Sequence, residues 1–133
     1  MVKTIEIAKC TLADMFNIRR EQLDYRTREQ SVIEARRFLI YFMVQELEIK
    51  FYYIPNYLKS IKSHATAMHH YYKLRDLFEM KHEAKTKTKY IEFKNHVVEQ
   101  GMDELERELN NQIEQRKIVN KKIKILKGMI DES

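Results

Sequence analysis

Glycine and proline are nearly absent from this chain, whose 133 residues include two glycines and one proline. Tight turns, hairpins and glycine-rich phosphate loops depend on these two residue types. A fold of many short strands is therefore excluded, and neither a P-loop nor a Rossmann fingerprint is found. The sequence predicts an all-α protein.

Basic charge is concentrated in the first two thirds of the chain. Residues 1–90 carry 17 basic and 11 acidic side chains, a net charge of +6, whereas residues 91–133 carry 8 and 9, a net charge of −1. The length suits one domain with an appendage. A positive field on the first part indicates a polyanionic partner for that part.

Cysteine usage and hydropathy bear on the compartment. Cys10 is the single cysteine, so no disulfide forms within the chain, which favours a reducing environment. We expect Cys10 to be buried as a small apolar side chain. No apolar run approaches the roughly 18 residues of a membrane span, and the N-terminus lacks the apolar core of a signal peptide. We expect a soluble cytoplasmic protein without a membrane partner.

Apolar residues recur at helical spacing through the first 80 residues. This periodicity predicts helices over residues 4–16 and from Val32 to about Leu47. A short helix is expected to begin near Tyr52 or Tyr53, because Pro55 is accepted only in a first turn. Another helix begins at Ser63, a favoured N-cap residue. The last two helices are joined by a brief polar turn and form a helix-turn-helix candidate.

The remaining residues predict a linker and a coiled coil, so that the chain divides into a domain over 1–80, a basic linker over 81–97 and an arm over 98–133. The stretch between Met80 and Lys89 is also compatible with an exposed continuation of a helix. In the arm, the first and fourth positions of a heptad repeat, which form the seam of a coiled coil, are apolar in seven of nine cases. Gln112 and Arg116 are the two polar exceptions. The seven apolar seam positions are Met102, Leu105, Leu109, Val119, Ile123, Leu126 and Ile130.

Charges along the arm are segregated, with acidic residues from Glu99 to Glu114 and basic residues from Arg116 to Lys127. This order suits the helix macrodipole, which accounts for part of the pattern. An antiparallel partner gains more, because each acidic half then faces a basic half. We therefore expect a homo-oligomer formed through the arm, either an antiparallel dimer or a larger bundle.

Catalytic and metal sites are not indicated. His64, His69 and His70 cannot all point one way on a helix, and no cysteine or carboxylate joins them at a ligand spacing. No nucleophile elbow is found. We expect no enzymatic activity, no metal and no cofactor.

A helix-turn-helix presents the first residues of its second helix to base edges in the major groove. Ser63, His64 and Thr66 occupy that place here, and Lys59 and Lys62 precede them in a position to contact phosphates. The local pattern leaves an alternative open, in which Ser63 is only a helix cap and His64 an ordinary surface residue.

Residues 12–72 resemble the C-terminal DNA-binding domain of the bacterial chromosomal replication initiator DnaA. In that family a basic loop leads into an arginine-containing helix, a short helix, and a signature R/K-D-H-S/T-T-V with a second histidine five residues after the first. The corresponding stretch here is KSHATAMH, residues 62–69, in which His64, Thr66 and His69 have the family's spacing.

The resemblance implies a DNA-binding surface with the recognition helix in the major groove, Arg28 in the adjacent minor groove with Arg26 beside it, and lysines on phosphates. The implied contact residues are Arg26, Arg28, Lys50, Lys59, Lys62, Ser63, His64, Ala65, Thr66 and His69. Ser63 stands where the family has aspartate, and Ala65 where it has serine or threonine, so we expect a different preferred site. No ATPase domain precedes this segment, so no nucleotide is expected.

Two functions are compatible with these patterns. The first is a double-stranded DNA-binding regulator of transcription or replication, of the kind found in phages or mobile elements. The second is a phage assembly, packaging or virion protein resembling a small terminase subunit, in which the helix-turn-helix serves packing or non-specific DNA binding. A dimer with a defined DNA footprint favours the first, and a ring with only non-specific affinity favours the second.

Overall fold

The structure, a computed structural model, describes residues 2–131, with side chains described for 3–103 and 105–127. These residues contain no strand, which confirms the all-α class. The α-helices are α1 (Val2–Phe16), α2 (Gln30–Gln45), α3 (His64–Glu79) and α4 (Ala84–Asp131). Short 3-10 helices occupy Arg20–Asp24, Phe51–Asn56 and Lys81–Glu83. The chain divides into a compact unit that ends at Val98 and a second unit that begins at Glu99.

Helix α2 supplies much of the core of the compact unit. It packs against α1, α3 and the first two 3-10 helices. Its buried apolar residues are Val32, Ala35, Phe38, Leu39, Ile40, Phe42 and Met43. The prediction that Cys10 is buried is wrong, because the buried face of α1 runs through Ala8 and Leu12 and leaves Cys10 exposed.

Two helix ends reverse direction without glycine. Asn17 follows α1 with φ 53°, and Glu48 lies just beyond α2 with φ 56°. Both are in the left-handed region, which asparagine tolerates and which is uncommon for glutamate. After α1 the amide of Ile18 donates to the carbonyl of Ala13 at 3.0 Å, which satisfies one carbonyl at the helix end.

Both short helices of the helix-turn-helix candidate are present, with one difference in type. The segment Phe51–Asn56 is a 3-10 helix that begins just before the predicted start and includes Pro55. Six residues is longer than most 3-10 helices, and Pro55 lies in the next-to-last position rather than in the first turn, where it was predicted. α3 begins after Ser63, whose predicted role as N-cap is confirmed.

The segment 81–97, predicted to be a linker, instead belongs to the compact unit. It consists of the third 3-10 helix and the first turns of α4, and its residues Tyr90, Phe93 and Val97 are buried. Tyr90 lies edge-on to Phe38 of α2 with ring centroids 5.7 Å apart. The spacing of the three buried residues is that of one helix face and indicates a buried helix. The linker was predicted because five lysines dominate the composition of this segment.

In the second unit α4 continues to Asp131, so the predicted C-terminal helix is present. Its predicted seam residues from Met102 to Leu126 are exposed in the single chain. The side chain of Ile130, also predicted in the seam, lies outside the described residues. Within residues 2–131 no helix combines the length and the apolar character needed to cross a bilayer.

Truncation of Phe93 tests whether residues 81–97 are structural. Because Phe93 is fully buried, Phe93→Ala should lower the free energy of unfolding by about 3–5 kcal/mol. Ile91 is 45% exposed, so Ile91→Ala should change it by less than about 1 kcal/mol. Urea denaturation followed by circular dichroism measures both variants. If both variants lose little unfolding free energy, and the same amount, residues 81–97 are a linker after all.

Candidate nucleic-acid interface

A buried arginine holds the segment that leads into the basic loop. Arg36 of α2 is 6% exposed. Its Nε donates to the carbonyl of Leu23 at 3.0 Å, and its Nη2 donates to the carbonyls of Gln22, at 3.0 Å, and Tyr25. Burial lowers the pKa of Arg36, and the carboxylate of Asp24 partly opposes that shift. The guanidinium therefore fixes the backbone immediately before Arg26.

Asp24 connects the same segment to the turn of the helix-turn-helix. Its Oδ1 accepts a hydrogen bond from the amide of Lys59 at 3.0 Å, and its Oδ2 lies 3.7 Å from Nζ of Lys9. Lys9 is itself buried and donates to the carbonyl of Tyr57 at 2.8 Å. We call Lys9, Asp24 and Arg36 the buried charge cluster, in which the two cations are buried and Asp24 is partly exposed. It joins α1, the first 3-10 helix, α2 and the turn before α3.

A second contact reinforces this connection. The hydroxyl of Ser60 donates to the carbonyl of Leu23 at 2.6 Å, so that carbonyl accepts from both Ser60 and Arg36. The loop that contains Arg26 and Arg28 and the turn that contains Lys59 are thus attached to one short stretch of backbone.

The first turn of α3 is held by its cap. The amide of Thr66 donates to Oγ of Ser63 at 3.3 Å, and the two hydroxyl oxygens are 3.1 Å apart. Ser63 therefore has the structural role that the sequence left as an alternative to base contact. His64 and Ala65 are exposed, while Ala67 points into the core.

The structure places all of the predicted DNA-contacting residues on the surface. The exposed residues are Arg26, Arg28, Lys50, Lys59, Lys62, Ser63, His64, Ala65, Thr66 and His69. Within the described part of the chain, their five lysine and arginine side chains form no ion pair. Their charges are therefore available to an external anion. Residues 62–66 are consecutive and exposed, Lys59 is separated from them by Ser60 and the buried Ile61, and His69 lies one helical turn beyond Ala65.

Sequence reasoning missed the tyrosines that border this surface. Tyr52 is 73% exposed, and its ring centroid lies 5.4 Å from that of Tyr53 and 6.3 Å from that of His64. Farther along α3, the guanidinium of Arg75 lies 4.6 Å from the centroid of Tyr72. A signal was available, because no acidic residue occurs between Glu48 and Asp76 while tyrosine and basic residues are frequent there.

The neighbouring histidines differ in environment. His69 is exposed, whereas His70 is half-buried and accepts a hydrogen bond at Nδ1 from Nε of Arg37 at 3.4 Å. Burial, with a smaller contribution from Arg37, lowers the pKa of His70 to about 4. His70 is therefore neutral near pH 7 and acts as an acceptor inside the compact unit.

Other candidate sites are few in the described part of the chain. A cavity of about 250 Å³ lies between α2, α3 and the first turns of α4, with Arg37, Lys73 and Glu83 in its lining. It is smaller than the roughly 300–1,000 Å³ of most small-molecule pockets. Three larger depressions in the described part of the chain, of about 360–550 Å³, are more open to solvent. Among the described residues no group of three or more histidine, cysteine or carboxylate side chains is arranged to hold a metal ion.

Comparison with known proteins gives no relative. No family model, no curated protein and no solved structure matches the chain. The resemblance to the DNA-binding domain of DnaA therefore rests on the residues quoted above.

The environment of His70 predicts a pH dependence of stability. Its pKa is lowered from an ordinary 6.5 to about 4, so the unfolded chain binds more protons between these values. The free energy of unfolding should fall as pH decreases from about 6.5 to about 4, with on the order of 2–3 kcal/mol from this group. His70→Asn keeps an acceptor for Arg37 and should remove that part of the loss.

Chemical denaturation between pH 4 and 7 measures this effect, with His64→Asn as the control, because His64 is exposed and is not among the charges that act on His70. The control should follow the wild-type pH profile. If His70→Asn also follows the wild-type pH profile, His70 is not a buried, neutral histidine in the folded protein.

Proposed function

We propose that the compact unit binds double-stranded DNA, with the first turn of α3 in the major groove and the loop of Arg26 and Arg28 at the adjacent minor groove. One observation carries the proposal: the ten residues expected at DNA are all exposed, although Ile61 and Ala67, within the same stretch, are buried. Apart from Ala65, the exposed residues are polar or basic, and the core residues between them hold the backbone in place, which suits contact with a DNA groove.

Electrostatics supports the same assignment. Lys59 and Lys62 lie just before the N-terminus of α3, where free backbone amides and the helix dipole also favour a phosphate. The stretch from Ile49 to Arg75 contains five lysine and arginine residues and no carboxylate. Phosphate contacts from these cations would supply a salt-dependent affinity common to all duplexes.

Base recognition would come from fewer side chains. His64 and Thr66 offer hydrogen-bonding groups at the first turn, and Ala65 offers a methyl group to a thymine methyl. In this proposal the protein is a regulator of transcription or replication, of phage or mobile-element type, that acts in the bacterial cytoplasm without a nucleotide or another cofactor.

A second candidate function is favoured by the second unit, whose helix exposes a row of large apolar side chains from Met102 to Leu126. Such a row suits an assembly or packaging protein resembling a small terminase subunit, in which oligomerisation is the main activity. DNA binding would then be non-specific.

The two functions predict different effects of His64→Ala on DNA affinity. On a duplex selected from a randomised pool, the variant should lose about 1–3 kcal/mol of binding free energy. On a scrambled duplex the variant should lose little binding free energy, because the base that His64 contacts is absent from that sequence. Fluorescence anisotropy over a salt series measures both affinities.

Two further variants serve as controls. Lys59→Ala should weaken both duplexes alike and reduce the salt slope by about 1; its backbone contact to Asp24 is retained. His82→Ala removes an exposed histidine of the third 3-10 helix and should change neither affinity. If His64→Ala leaves the ratio of selected to scrambled affinity unchanged, base recognition by α3 is wrong and the second function is favoured.

A further inference from the structure

We propose that residues 99–127 bind the same residues of a second copy of this chain, antiparallel and in a single register centred on Glu114. This surface is separate from the DNA-binding surface, and the proposal does not depend on the proposed function. The occupant is a second copy because the two halves of this segment are complementary to each other in both apolar pattern and charge.

The apolar pattern determines the register. In an antiparallel coiled coil the first heptad position of one helix faces the fourth position of the other. Pairing residues equidistant from Glu114 obeys this rule at every seam position from Met102 to Leu126. The resulting apolar layers are Met102 with Leu126, Leu105 with Ile123, and Leu109 with Val119, each formed twice. These side chains are 47–67% exposed in the single chain, so pairing removes a large apolar surface from water.

The two polar seam residues face each other in this register. Gln112 of one copy meets Arg116 of the other, and the amide oxygen of Gln112 is an acceptor for the guanidinium. In a parallel dimer Arg116 would face its own copy. Slipping the antiparallel pair by one heptad would place Gln112 and Arg116 against apolar residues instead, which is how a polar layer specifies register.

Flanking charges agree with the same arrangement. The fifth and seventh heptad positions lie beside the seam, and antiparallel pairing brings fifth to fifth and seventh to seventh. Glu99 then lies beside Lys127 and Glu108 beside Lys122. At the centre Ile113, which is 41% exposed in the single chain, lies beside Ile113 of the second copy. A parallel pair would instead bring Lys122 beside Lys127.

Lys122→Glu separates the two orientations. In the antiparallel register this substitution places a second carboxylate beside that of Glu108, twice per dimer. It should therefore raise the dimer dissociation constant about tenfold at low salt, or about 1.4 kcal/mol. In a parallel pair the same change would introduce an attraction to Lys127 and lower the constant. The double variant Glu108→Lys with Lys122→Glu exchanges the pair and should restore association.

Lys121→Glu is the matched control, because it makes the same charge change on the side of the helix away from the seam. Leu109→Ser should abolish dimerisation, whereas Ile118→Ser removes an exposed apolar residue outside the seam and should not. Sedimentation equilibrium of the full chain, with reductant because Cys10 is exposed, measures each variant.

The expected result is weakening by Lys122→Glu, rescue by the double variant and no effect of Lys121→Glu. The proposal is overturned by a wild-type chain that is monomeric at every concentration, by an unchanged or lower dissociation constant for Lys122→Glu, or by Ile118→Ser acting as strongly as Leu109→Ser.

Discussion

The guanidinium of Arg36 is the group on which the arrangement of the compact unit most depends. It is a buried cation, and a buried cation is stable only when its donors are satisfied. Here the satisfying groups are backbone carbonyls of Gln22, Leu23 and Tyr25. Asp24, in the middle of that stretch, adds the opposite charge, forms an ion pair with Lys9 and accepts a hydrogen bond from the amide of Lys59. Four separate parts of the chain are thereby held together by polar contacts in an otherwise apolar core.

This cluster also explains why the candidate DNA surface has a defined geometry. The loop of Arg26 and Arg28 contains no buried apolar side chain, so it is positioned by the hydrogen bond from Arg36 to the carbonyl of Tyr25 just before it. The turn of Lys59 is anchored by Leu58 and Ile61 in the core and by its polar contacts to Asp24 and to the carbonyl of Leu23. Exposed cations on rigid backbone lose less conformational freedom on binding than cations on mobile loops.

Sequence periodicity was sufficient for α1, α2 and α3 and their buried faces, and Ser63 was identifiable as a cap from its side chain. The same spacing puts Arg36, four residues from both Val32 and Ile40, on the buried face, but it could not identify the carbonyls of the distant segment that its guanidinium binds. Composition was misleading for residues 81–97, where the lysines outnumber the buried positions Tyr90, Phe93 and Val97. At the site, the turn and cap residues followed from the helix-turn-helix pattern, and Arg26, Arg28 and Lys50 followed only from the resemblance to DnaA. The exposure of Tyr52 and Tyr53 depends on how the second 3-10 helix is oriented.

Lysine footprinting on DNA tests the location of the interface most directly. The full chain would be acetylated with and without duplex DNA, and the modification of each lysine would be quantified by mass spectrometry. Lys50, Lys59 and Lys62 should be protected by DNA, while Lys85 and Lys87, exposed on the first turns of α4, should remain reactive. Protection of Lys85 and Lys87, with Lys59 and Lys62 still reactive, would contradict the assignment of the α3 surface to DNA.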